Sequence, residues 1–273
     1  MNTPPVLING RPGHWIDVFD RGFQYGDGLF ETLLVAEGRP FLWPEHVARL
    51  ERGCGRLAIP MPDPALLWRE ALRLCREKAA GVLKILVTRG TGGRGYRPPA
   101  PALATRVLSL HPLPADIGTW RRQGIRIRLC RTPLGINPFL AGIKHCNRLE
   151  QILARSEWDD PEIQEGLMCD SEGCLVEGTV SNLFWLRQGK LCTPKIDRCG
   201  IAGIVRSWVM EKVGAWGEGV TEVRVSPEAL LEAEEVFVTN SVLGIVPVTE
   251  WACHDRHWPV GGTARRLQRA FRQ

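Results

Sequence analysis

The chain has 273 residues, 44% hydrophobic and 24% charged, which is ordinary for a folded protein and long enough for two compact domains. A net charge of +5 without a basic cluster argues against a nucleic-acid-binding module and suits small anionic ligands better. No apolar run reaches the roughly 18 residues of a membrane span, and the first residues lack a basic-then-apolar signal pattern. Nine cysteines, an odd number with no CxxC pair and no zinc spacing, predict a reduced cytoplasmic protein whose thiols mostly act as small core hydrophobes.

In chain order, Val6 to Gly10 reads as a strand ending in a turn, Gly28 to Val35 as a strand, and Glu37-Gly38-Arg39 as a turn. Pro44 and Pro64 open two helices with apolar residues at helical spacing, Arg49 falling opposite the apolar stripe of the first. Strands are expected at 82–88 and 106–110, an inter-domain passage near 113–119, and a further strand at 125–131. A helix over about 147–158 follows, then strands at 165–170, 178–186 and 190–193. The pattern closes with a helix over 203–213, strands at 222–225 and 235–239 around a short helix, and an amphipathic helix over 262–271. The result is a mixed α and β chain with many short strands and no repeated βαβ unit.

Six of the 35 basic residues are lysines, so the search for an amine catalyst is short: arginine keeps its proton, lysine can lose it. Lys144 sits in the apolar, Pro- and Gly-framed stretch Asn137 to His145, where partial burial favours a neutral amine able to form an imine with an aldehyde. A lysine snorkelling from a strand end is the plainer alternative, and Lys84, in the strand at 82–88, is the rival amine. Glu177 precedes Gly178 and an apolar run; it is either a turn carboxylate facing water or the partner of a buried cation. Gly200 to Ser207 leads into a helix, so its backbone N–H groups either cap that helix or cradle a phosphate. Thr239 to Ser241 could add hydroxyls, and Arg49 a charge, to the same anion. Together these features offer the amine, the carboxylate and the anion cradle that pyridoxal phosphate requires.

Four stretches carry a resemblance. They are Arg21-Gly-Phe-Gln-Tyr-Gly-Asp-Gly28, Thr88 to Tyr96, Asn137 to Gln151, and Leu175-Val-Glu-Gly178 with Ser181-Asn-Leu-Phe184. With them the chain resembles the fold-type IV pyridoxal-phosphate enzymes, which include branched-chain and D-amino-acid aminotransferases. Within that group it is most similar to the aminodeoxychorismate lyases, through GGRGY and GIKHxNRLEQ.

The resemblance implies two domains: a small N-terminal α/β domain over 1–115 and a larger cofactor-binding domain over 116–273 with a mostly antiparallel, barrel-like sheet. It implies Lys144 as the Schiff-base lysine and general base, and Glu177 as the partner of the pyridine nitrogen. Arg49, the backbone of Ile204 and Val205, Ser241 and Asn182 complete the cofactor set, while Arg94, Tyr96, Arg97 and Phe30 fall on the substrate side. It further implies a homodimer and the conversion of 4-amino-4-deoxychorismate to 4-aminobenzoate and pyruvate, with a branched-chain or D-amino-acid aminotransferase as the alternative. Tyr96 replaces a histidine of the D-amino-acid enzymes, Arg148 a tyrosine of the branched-chain enzymes, and Val205 a common phosphate-loop threonine. The first two weaken the aminotransferase reading, and the third removes a side-chain phosphate contact.

Overall fold

The structure is a computed structural model and describes residues 4–252 and 254–271. It divides into two compact units: residues 1–114 with Ile143–Asn147, and residues 115–142 with 148–273. The segment carrying Lys144 thus groups with the N-terminal unit, although its flanks on both sides belong to the other.

The N-terminal unit contains β1 (Val6–Ile8), β2 (Arg11–Pro12), α1 (Arg21–Tyr25), β3 (Gly28–Ala36), β4 (Arg39–Pro40), α2 (Trp43–Leu57), α3 (Pro64–Cys75), β5 (Ala80–Thr88) and β6 (Thr105–His111). Its strands form one antiparallel sheet in the order β2-β1-β6-β5-β3-β4. Side chains alternate across it: Leu29, Leu33, Leu83, Ile85 and Leu108 are buried, with α2 and α3 packed against the sheet, while Phe30, Thr32, Lys84 and Ser109 point to the other face. Asp63 caps α3 by accepting from Ala65 N, and Pro64 supplies the helical φ at its first position.

The second unit contains α4 (Ile117–Gln123), β7 (Ile125–Leu129), α5 (Leu149–Arg155), β8 (Glu165–Cys169), β9 (Leu175–Gly178), β10 (Asn182–Arg187), β11 (Lys190–Pro194), α6 (Ile204–Ala215), β12 (Val220–Val223), a 3₁₀ turn at Pro227–Glu232, β13 (Glu235–Asn240), β14 (Gly244–Trp251), β15 (Arg256–His257) and α7 (Gly262–Ala270). The sheet runs β12-β11-β10-β13-β14-β7-β8-β9, with β15 beside β14. Only the β11–β12, β14–β7 and β7–β8 pairings are parallel, so the sheet is mostly antiparallel as expected. Ile127, Leu167, Trp185, Val236, Val238, Val248 and Trp251 fill its main core.

Several elements depart from the sequence reading. The expected strand over 178–186 is two strands, because the turn 179–181 bends to meet a buried carboxylate, Glu165. The short α1 and α4 were not anticipated. Nor was β14, a central strand containing Pro247. Proline lacks the N–H that a ladder needs. Here β7 begins to pair only at Val248, opposite Ile125, so Pro247 lies beyond the ladder on that side.

Candidate active site

In the N-terminal unit, residues 143–147 run along β3. Phe30 N donates to the Lys144 carbonyl (3.0 Å) and Cys146 N to the Gly28 carbonyl (2.9 Å). This pairing sets the Lys144 ammonium 4.3 Å from the centroid of the Phe30 ring. Lys84 reaches the same ring at 5.4 Å from the opposite strand, so the two lysines weighed as rivals flank one aromatic side chain. Lys84 is exposed and Lys144 half-buried.

Behind this face lies a buried ionic group. Glu31, 1% exposed, accepts from Arg49 Nε (2.8 Å) and Nη2 (2.5 Å) and lies 2.6 Å from His46 Nδ1. Burial alone would raise the Glu31 pKa, but the Arg49 charge and hydrogen bonds, with help from His46, outweigh it and hold the carboxyl at about 2. His46 is driven below its ordinary value, first by burial and then by the Arg49 and Lys144 charges, against the pull of Glu31. The neutral imidazole therefore donates from Nδ1 to the carboxylate, which makes Nε2 an acceptor; Nε2 is buried and unpartnered. These facts correct the expectation for Arg49. It lies on the buried face of α2 with His46, Leu50, Gly53 and Cys54, not opposite it.

Arg94, Tyr96 and Arg97 all lie exposed in the loop after β5. Arg21 ties that loop to α1 through the carbonyls of Gly95 (2.9 Å) and Tyr96 (3.3 Å), and Tyr25 meets the Tyr96 ring edge-on at 5.7 Å.

In the second unit, Glu177 at the end of β9 is 4% exposed, and its Oε2 accepts from Ile201 N (2.8 Å). The following turn is organised by Glu165, which accepts from Thr179 N (3.0 Å), Thr179 Oγ1 (2.6 Å), Val180 N (3.3 Å) and Ser181 Oγ (2.6 Å). Asn182, first in β10, donates to the Ile201 carbonyl (2.9 Å) and pairs across the ladder with Thr239. Ile204 and Val205 open α6 after Gly203, and no side chain caps this helix end. A Cβ on Gly203 would fall 2.0 Å from Asn182 Oδ1, so only glycine allows this approach. Ser241, half-buried, follows β13.

The Oγ1 of Thr239, one of the hydroxyls that the sequence offered to an anion, is buried without a partner two positions before Ser241. An orphaned hydroxyl beside uncapped helix N–H groups suits a phosphate, which accepts from both. The residues of this unit therefore fit the phosphate end of pyridoxal phosphate. Glu31 and His46 escaped the sequence reading. The available signal was a lone acid in an otherwise apolar strand and a His-x-x-Arg spacing on one helix face.

The model of the amino-transferase class IV family matches residues 28–251. The chain is 37% identical to an aminodeoxychorismate lyase of Vibrio harveyi, over 96% of this chain and 97% of that protein. It is 31% identical to a putative branched-chain-amino-acid aminotransferase of Methanocaldococcus jannaschii, over 86% and 82%. The crystal structure of a 4-amino-4-deoxychorismate lyase from Pseudomonas aeruginosa superposes with a TM-score of 0.92 at 47% identity, covering 97% of both chains.

Proposed function

We infer the reaction from one premise: the chain belongs to the amino-transferase class IV family. It is a pyridoxal-phosphate-dependent lyase that converts 4-amino-4-deoxychorismate to 4-aminobenzoate and pyruvate, the reaction named for its lyase relatives, which cover nearly its whole length. The observation that carries the site is Lys144, pinned by backbone bonds along β3 with its amine over Phe30.

In this reading Lys144 holds the cofactor, and Glu177 keeps the pyridine nitrogen protonated. The phosphate is held by Arg49, the N–H groups of Ile204 and Val205, and the hydroxyls of Ser241 and Thr239, with Asn182 shaping the cradle. The bound cofactor supplies an electron sink for the carbon that bears the substrate nitrogen. With its amine free and neutral, Lys144 would take the proton from that ring carbon as general base. The enolpyruvyl group then leaves, the ring becomes aromatic, and Lys144 returns a proton to the departing fragment to give pyruvate. Arg94, Arg97 and Lys84 offer cations to the two substrate carboxylates, and Tyr96 and Phe30 pack against the ring.

Exposed apolar side chains on the N-terminal unit (Trp15, Phe19, Phe23, Tyr96 and Leu103) support a homodimer. Among the described residues no helix is long and apolar enough to cross a membrane. The odd cysteine count, without a CxxC pair, supports a cytoplasmic location.

The deciding experiment supplies 4-amino-4-deoxychorismate to the purified protein. Equal yields of 4-aminobenzoate and pyruvate are expected. Lys144→Ala should lose both the visible cofactor band and turnover. Rapid stoichiometric pyridoxamine phosphate formation from an amino-acid donor, without 4-aminobenzoate, would assign an aminotransferase instead.

A further inference from the structure

A concavity lies in the N-terminal unit, where the β3–β4 turn sits on the C-terminal half of α3. The two are packed closely: Glu37 N donates to the Ala79 carbonyl (2.8 Å), and a Cβ on Gly38 would come within 2.9 Å of the Arg76 carbonyl oxygen. Between turn and helix opens a cavity of about 480 Å³. Its charged lining is four arginines (Arg39, Arg69, Arg73 and Arg76) against one carboxylate, Glu37.

The one acid within α3 that could neutralise these arginines is committed elsewhere. Glu70, on the same helix, is buried and bound by Arg106 Nε (2.9 Å) and Nη2 (2.7 Å). Among the described residues Arg39 and Arg69 join no ion pair, and Arg76 makes only an exposed 3.8 Å contact with Glu77. Arg73 is anchored by one bond to the Gly10 carbonyl (3.2 Å). Like charges at i and i+4 on a helix repel by a few tenths of a kcal/mol. The helix dipole accounts for Arg73 and Arg76, which lie at the C-terminal end of α3, because cations are favourable there. It does not account for Arg69, one turn earlier, or for Arg39 on β4.

We propose that this basin binds a small oligophosphate anion. The cavity lies in the size range of small-molecule sites. The axial rise from Arg69 to Arg76 is about 10 Å, more than one phosphate group spans, whereas a chain of two or three phosphates can meet several guanidinium forks at once. No step of the lyase reaction uses these residues, so the site is independent of that reading.

Calorimetric titration of the holoenzyme with inorganic tripolyphosphate tests this. Saturable one-to-one binding is expected, weakened at least about tenfold in the Arg69→Ala/Arg73→Ala double variant and by Arg39→Gln, which leaves the helix untouched. Formation of 4-aminobenzoate should be unchanged in all three proteins. Raising the salt concentration should weaken the wild-type affinity. No saturable binding to the wild type, or wild-type affinity retained in both variants, would overturn the proposal. Tighter binding of citrate than of tripolyphosphate would overturn the ligand class. A double variant that melts earlier while the wild type binds no anion would show that these arginines serve only the helix end.

Discussion

Lys144 was legible as a candidate because lysine is scarce in this chain and because its stretch is apolar and framed by proline and glycine. Arg49 was legible as a candidate but misplaced, since a helical wheel sorted by polarity puts every arginine outward and cannot see that Glu31 and His46 draw this one in. Glu31 makes a testable difference. Its carboxyl titrates near 2 in the fold and near 4.5 in an unfolded chain. Its contribution, about 3 kcal/mol, is therefore fully present above about pH 4.5 and is lost as the pH falls towards 2. His46, held below its ordinary value, acts in the same direction, because the unfolded chain binds its proton first. Denaturant melts of the wild type should show this acid loss. In Glu31→Gln the acid limb should flatten, stability at pH 7 should drop by about 3 kcal/mol, and the cofactor should dissociate more readily. At Lys84 a different readout applies. Lys84→Met should raise KM for the dicarboxylate substrate about tenfold or more with a smaller change in kcat, as removal of a binding cation requires.

Helices α2, α3, α6 and α7 and strands β3, β5, β6 and β13 were readable from period and punctuation. β14 was not, because a proline normally argues against a central strand and only the late start of β7 pairing removes the objection. The break between β9 and β10 was also unreadable, since it depends on a carboxylate from β8 that is distant in sequence. Glu165→Ala should free the turn that separates Glu177 from Asn182. We expect about 3 kcal/mol of lost stability from the abandoned donors, measured by chemical denaturation. Weaker cofactor retention should accompany it, measured by absorbance after dialysis. Gly203→Ala should spare folding more but lower cofactor affinity at least about tenfold, because its methyl would displace the Asn182 amide.

At the scale of the molecule, the mixed architecture could be read from the succession of elements, whereas the sheet order could not. Strand neighbours such as β14 and β7 are set by which apolar faces meet, and nothing local in the sequence records that. Sedimentation velocity tests the proposed dimer: the wild type should run as two copies, and Phe19→Asp/Phe23→Asp should shift the protein towards a single copy.

The short excursion of residues 143–147 has a further consequence for any attempt to dissect the protein. Scission near residue 115 leaves the leading fragment without the edge segment that Gly28 and Phe30 hydrogen-bond, and strands Lys144 on the trailing fragment. Neither fragment would then be a whole module. A gene for the leading unit alone would need those five residues grafted back before its sheet could close that edge.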